Sequence, residues 1–137
     1  MKPTLFALLL VLSLSAYTQE KKPAPTLKGI LLEQLRTTHD KAEWFVPANT
    51  AVEGLTPEQA SWTDGKGNHS IGQLTNHLIF WDRQSLAKFK GETPEKFSGN
   101  NDETFNSFDS KNWPAAVKQL DQVLNRLGKG HRSRRRD

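Results

Sequence analysis

The sequence predicts an all-α protein, an antiparallel bundle of helices in one domain. Three stretches repeat apolar residues every three or four positions, and none alternates apolar with polar residues as a half-buried strand does. Helix-start signatures precede two of the helical stretches. The chain has 137 residues, room for a single core, and at 35 % hydrophobic residues it is too apolar for a wholly disordered chain.

Residues 1–18 read as an export signal. Lys2 supplies the positive end, and Leu5 to Leu14 is an apolar run broken only by Ser13. Ala16-Tyr17-Thr18 approximates a small-x-small cleavage site, with cutting after Ala16 as the other choice. The run is shorter than the about 20 residues a permanent span needs. An uncleaved N-terminal anchor is the competing reading. Cleavage would place the mature protein outside the cytoplasm, secreted or periplasmic, with no membrane attachment. Residues 19–26 then form a polar linker with two Lys and two Pro.

The helical domain is expected over 27–127. The first helix is predicted from Leu27 to Val46, capped by Thr26 and interrupted at Pro47, with Ala48 to Val52 continuing helically. Thr56-Pro57-Glu58-Gln59 starts a further turn or two: Thr caps, Pro occupies the first helical position and Gln returns to the cap. Residues 63–68 are a loop by composition. Ser70-Ile71-Gly72-Gln73 opens a second long helix, whose inner stripe is expected to be Ile71, Leu74, Leu78, Trp81 and Phe89, widened by Ile79, Phe80 and Leu86, ending at Gly91. A connection of about 20 residues follows, pinned by Phe97, Phe105 and Phe108. The third long helix begins at Trp113-Pro114 and is expected to stop at Leu127, before Gly128 and Gly130. Residues 128–137 read as a disordered basic tail. Three apolar stripes of this width suit four helices better than three, so the fourth helix is expected to be missing or replaced by the tail.

Charge and composition exclude several functions. The formal charge of +4 resides in the tail; residues 3–127 carry 13 basic against 14 acidic side chains, a net of −1. No aromatic residue interleaves the basic run, so no nucleic-acid partner is expected. The absence of Cys removes disulfides, thiol catalysis and thiolate metal sites. There is no Gly-x-Ser-x-Gly and no phosphate loop.

What chemistry remains rests on histidine. His77 sits in the second long helix among Leu74, Leu78 and Trp81, where an imidazole can serve a metal site between facing helices or merely rest at the core edge on one hydrogen bond. His39 and Glu43, one turn apart, can present two ligands to one ion or lie on a solvated face. His69, just ahead of the cap, is read as an ordinary loop residue. Asp82 is expected to pair with a Lys or Arg of its own helix.

The stretch from Gly54-Leu55-Thr56-Pro57-Glu58-Gln59-Ala60-Ser61-Trp62 to His69-Ser70-Ile71-Gly72-Gln73-Leu74-Thr75-Asn76-His77-Leu78-Ile79-Phe80-Trp81 resembles the DinB-like superfamily. The resemblance spans roughly Leu27 to Leu127. It implies a four-helix bundle and, in many members, a divalent metal (zinc or nickel) held by one His on the second helix and two spaced four apart on the last. Some relatives are thiol-dependent transferases or isomerases. Of those ligand positions only His77 has a counterpart here, with His39 as a makeshift second ligand; the paired histidines do not. The resemblance therefore implies an exported, incomplete copy of a metal-dependent enzyme with an unknown small-molecule substrate. The alternative is a non-enzymatic secreted bundle that binds a small molecule or a partner protein, and the missing helix makes a homo-oligomer an expected form.

Overall fold

The computed structural model describes residues 24–133, so the export signal and the last four residues lie outside the described residues. Every regular element among the described residues is helical: α1 (Leu27–His39), α2 (Ala48–Val52), α3 (Pro57–Ser61), α4 (Ile71–Lys90), α5 (Glu103–Asn106), a 3₁₀ turn (Ser110–Asn112) and α6 (Trp113–Ser133).

The local signals act as their chemistry requires. Thr26 caps α1 by accepting from the Gly29 amide. Thr56 with Gln59 and Ser70 with Gln73 form two reciprocal capping boxes at α3 and α4. Gly91 ends α4 in the left-handed conformation, φ 76°, where a side chain would be strained.

Two expected boundaries are corrected. The first helix stops at His39, because the amides of Asp40 and Lys41 both turn back onto the Arg36 carbonyl. Glu33 and Glu43 then grip Lys41, so residues 41–46 leave the helical path. The last helix does not stop at Leu127 but runs to Ser133. Gly128 keeps a negative φ, so its only cost there is propensity, about 1 kcal/mol relative to alanine.

α6 is the centre of the molecule. Trp113, Ala116, Leu120, Val123, Leu124 and Leu127 are all buried along it, joined by Val52, Ala60, Ile79 and Leu86. The Trp113 indole also donates to the Leu55 carbonyl at 2.7 Å, tying the α2–α3 corner to the start of α6. Both α1 and α4 pack against α6.

The orientation differs from the expected antiparallel bundle. Gly72 meets Phe108, and eleven residues along α4 Arg83 meets Gln119 at 3.0 Å. Both pairs are 36 positions apart, so α4 and α6 advance together and run parallel. Parallel helices need a long return connection, and residues 91–112 supply it. This strap runs back along α4: Gln84 donates to the Glu95 carbonyl, Trp81 to Asn101, and Asn76 to Ser107. The three phenylalanines pin it as expected. Phe97 packs on Phe80 and Trp81, Phe105 is buried, and Phe108 lies against the core.

The inner face of α4 is also corrected. Ile79 and Leu86 face inward as expected, joined by Gly72 and Thr75, whereas Ile71, Leu74, Leu78, Trp81 and Phe89 are exposed. Small residues at 72 and 75 let neighbours approach the helix backbone, and that closer packing takes the core side. Leu27, Ile30 and Leu31 of α1 are likewise exposed. Among the long helices the apolar surface left open is therefore on α1 and α4, while the apolar face of α6 is buried; outside them Trp44, Val46 and Trp62 are exposed as well.

Candidate functional site

Two histidine clusters form, in different places and with different partners. The first is built on the strap. The Thr104 hydroxyl lies 2.6 Å from the Asn101 carbonyl, which can only accept, so the hydroxyl proton goes there. His77 Nδ1 is 2.7 Å from the same Thr104 oxygen. A hydroxyl has one proton to give, so His77 must donate from Nδ1. The imidazole is held as the Nδ1–H tautomer and its Nε2 carries the lone pair. Burial pushes the His77 pKa below the usual histidine value, and the nearby His69 adds to the lowering.

Phe105 is sandwiched between these two rings. His69 stacks on one face at 3.9 Å and 2°, His77 on the other at 4.1 Å and 8°. Trp81 closes the column edge-on to His77 at 6.4 Å. His69, read from sequence as an ordinary loop residue, is thus a member of the cluster. Its proximity to Ser70 gave no hint, since the residue that joins the two imidazoles is 36 positions away.

The second cluster ties α1, α2 and α6 together. His39 is buried, and its Nε2 donates to Asp121 Oδ1 at 2.9 Å. Asn49 donates to the same oxygen at 2.8 Å. Hydrogen bonds from His39 and then Asn49 hold the Asp121 pKa below the usual aspartate value. Asn49 Nδ2 is also 3.1 Å from His39 Nε2, but both are donors, so the shared carboxylate does the binding. The His–Asp pair has the form of a positioned base. Its other nitrogen, however, faces Asp40 at 3.8 Å, a carboxylate that cannot act as a hydroxyl nucleophile.

The expected His39–Glu43 pairing is corrected. Helical i, i+4 geometry ends with α1 at His39, and Glu43 is 2.7 Å from Lys41 instead. His39 and His77 are not brought into one ligand set. Among the described residues no group of three or more His, Cys, Asp or Glu could hold a metal ion. A zinc site uses three or four protein ligands, so the described donors do not fit a bound zinc or nickel ion.

Asp82 forms no pair with a Lys or Arg of its own helix, contrary to expectation. It follows Ile79 by three positions and precedes Leu86 by four, on the edge of the buried face. Burial alone pushes its carboxyl up to about 6. Sequence reasoning missed it because an aspartate inside a polar-looking Trp-Asp-Arg-Gln stretch carries no sign of burial.

Beside the first cluster is a cleft of about 370 Å³ between α4, the strap and α6. Ile79, Phe80 and Phe97 give it apolar walls. Arg83 and Lys96 balance Glu95 and Glu103 around it, so it favours neither sign of charge. Among the described residues no helix is long and apolar enough to cross a membrane.

Neither the curated proteins nor the solved structures include a match to this chain. Its residues 47–133, from the α2 corner to the end of α6, match the family model of the DinB superfamily. The match takes in both capping boxes, His69, His77 and the strap, and covers more than half of the sequence: the chain belongs to the DinB superfamily.

Proposed function

We propose that this chain is an exported DinB-superfamily domain related to metal-dependent thiol transferases, one that binds a small molecule or a partner rather than running the metal chemistry of its relatives. The observation that carries this reading is the His77–Thr104 hydrogen bond. It gives the imidazole the tautomer of a metal ligand, since the second nitrogen of such a histidine is normally tied to an oxygen. Phe105 and Trp81 surround it with aromatic contacts, and among the described residues no group of three or more His, Cys, Asp or Glu could hold a metal ion. One imidazole does not make a closed metal site, and the neighbouring cleft offers a ligand the polar groups of Asn76, Arg83 and Thr104 instead. Export is supported by Lys2 and the Leu5–Leu14 run.

Calorimetric titration of Zn²⁺ and Ni²⁺ into the protein and into His77→Ala and His39→Ala tests it. Binding no tighter than about 100 μM in all three is expected, because a lone imidazole lacks the chelate. Affinity in the nanomolar range, lost in His77→Ala, would mean a complete metal site and overturn the reading.

A further inference from the structure

We infer that the cleft between α4, the strap and α6 is a binding site for a dipeptide, with the peptide carboxylate at Arg83 and Lys96, its ammonium at Glu103, and its side chains against Ile79, Phe80 and Phe97.

The register of the strap sorts the charges of the cleft into two ends. Gln84 donates to the Glu95 carbonyl, so Glu95 and Lys96 lie beside Arg83 in the second half of α4. Further along the strap, Asn101 meets Trp81 and Thr104 meets His77. Glu103 lies between those two contacts, about one turn of α4 away from Arg83. At the first end two cations stand against one carboxylate, and at the second Glu103 is the charged lining residue. The cleft is neutral as a whole but polarised, net positive at one end and net negative at the other. An anion or a cation alone satisfies one end and is repelled by the other. A zwitterion satisfies both.

The charged groups are oriented but not consumed. Among the described residues none of Arg83, Glu95, Lys96 and Glu103 takes part in a salt bridge. Arg83 Nη2 donates to Gln119 Oε1 at 3.0 Å, which steadies the guanidinium and leaves the rest of its fork for a carboxylate. Ser98 donates to Glu103 Oε2 at 2.7 Å, which fixes that carboxylate and leaves Oε1 for an ammonium. Between the ends the walls are apolar: Phe80 and Phe97 meet at 5.5 Å, beside Ile79. A volume of about 370 Å³ falls in the range of small-molecule sites.

Length selects among zwitterions. The two ends are about four residues of α4 apart, or about 6 Å at ~1.5 Å per residue. A free amino acid carries both charges on one residue, at most ~3.6 Å of chain, and cannot reach both ends. Two extended residues span ~7 Å, and three, at ~10 Å, overrun the cleft.

The inference rests on the reading of this chain as a ligand-binding domain, and the two fail separately. Nanomolar zinc lost in His77→Ala overturns that reading; absence of peptide binding without tight zinc overturns the dipeptide alone. The test is a titration of the full chain, followed by the amide resonances of Ser107 and Gln119 in nitrogen–proton correlation spectra. The probes are Ala-Phe, free Phe, N-acetyl-Ala-Phe and Ala-Phe amide, each taken to about 10 mM. Ala-Phe is expected to bind with a Kd below about 1 mM, and free Phe and both blocked forms about 10-fold or more weakly than it. Arg83→Gln should weaken Ala-Phe about 10-fold and leave Ala-Phe amide unchanged, because that probe has no carboxylate to lose. Glu103→Gln should weaken Ala-Phe similarly and leave N-acetyl-Ala-Phe unchanged. Both side chains are exposed, so the helical far-UV circular dichroism of the variants should match the wild type. A merely distorted cleft would weaken every probe alike. Ala-Phe that moves no cleft resonance at about 10 mM, that binds no better than free Phe or the blocked forms, or that is indifferent to both substitutions would overturn the inference.

Discussion

The ring of Phe108 lies directly over the Cα of Gly72, so close that a Cβ there would overlap the ring. This contact fixes where the strap rejoins the helices. It also explains a glycine in the first turn of α4, where alanine would otherwise favour the helix by about 1 kcal/mol.

Gly72→Ala should therefore destabilise the domain by about 1–3 kcal/mol, the overpacking cost exceeding the gain in helix propensity. Phe108→Leu frees the space, so the second substitution should cost less in the Gly72→Ala background than alone. A double-mutant cycle from urea melts measures the coupling, expected at about 1 kcal/mol or more. Independent, additive effects would mean the ring is not seated on the helix.

The His77 tautomer is open to direct observation. Long-range nitrogen–proton correlation spectra should show the proton on Nδ1 at pH 8. Thr104→Val removes the acceptor and should shift the population toward Nε2–H, with a stability loss of about 1 kcal/mol. Because burial lowers the His77 pKa, the unfolded chain takes up a proton before the folded one does. The stability carried by the neutral ring is present above the ordinary histidine pKa and declines as pH falls through and below it. His77→Gln should flatten that decline in a series of melts from pH 8 to pH 5.

Much of the fold is legible in the sequence, for a physical reason. Caps and terminators act within one helical turn, so Thr26, Thr56-Pro57, Ser70 and Gly91 announce their helices locally. The direction of α6 relative to α4 is not local. It depends on contacts 36 positions apart, and the apolar period of α6 reads the same in either orientation. The choice of inner face on α4 failed for a related reason. That helix carries two apolar stripes, and hydrophobicity favours the one with Leu74, Leu78 and Trp81. Packing favours the one whose small residues admit Phe108. At the candidate site His77 was visible through its motif, whereas Phe105, Thr104 and His69 join it only after the strap has folded back. His39 was visible as a histidine, but its partner Asp121 lies 82 positions away.

The His39–Asp121–Asn49 cluster should act as a structural tie. His39→Ala leaves the Asp121 carboxylate with one of its two donors and should cost about 1–3 kcal/mol. Asp121 has a depressed pKa, so its contribution is present above the unfolded value and is lost as pH falls through the folded one. Asp121→Asn should accordingly lower the melting temperature more at pH 7 than at an acid pH below the ordinary aspartate value. Equal effects at both pH values would show that the carboxylate charge is irrelevant to the tie.

Asp82 gives the opposite sign. Its carboxyl is raised to about 6 by burial alone, so the folded chain holds a proton that the unfolded chain has released. Below the ordinary aspartate pKa both states are protonated and burial carries no ionic cost. As pH rises from 4 through 6, the folded chain must either keep the proton or bury a charge, and stability declines across that window. The shift corresponds to about 3 kcal/mol, and partial access to water reduces this to about 1–2 kcal/mol at neutral pH. Asp82→Asn removes the charge while keeping the shape. It should raise the melting temperature at pH 7.5 by about 4–8 °C per kcal/mol and leave it nearly unchanged at pH 4. A variant as unstable as the wild type at pH 7.5 would mean that the carboxylate finds a compensating partner on ionisation.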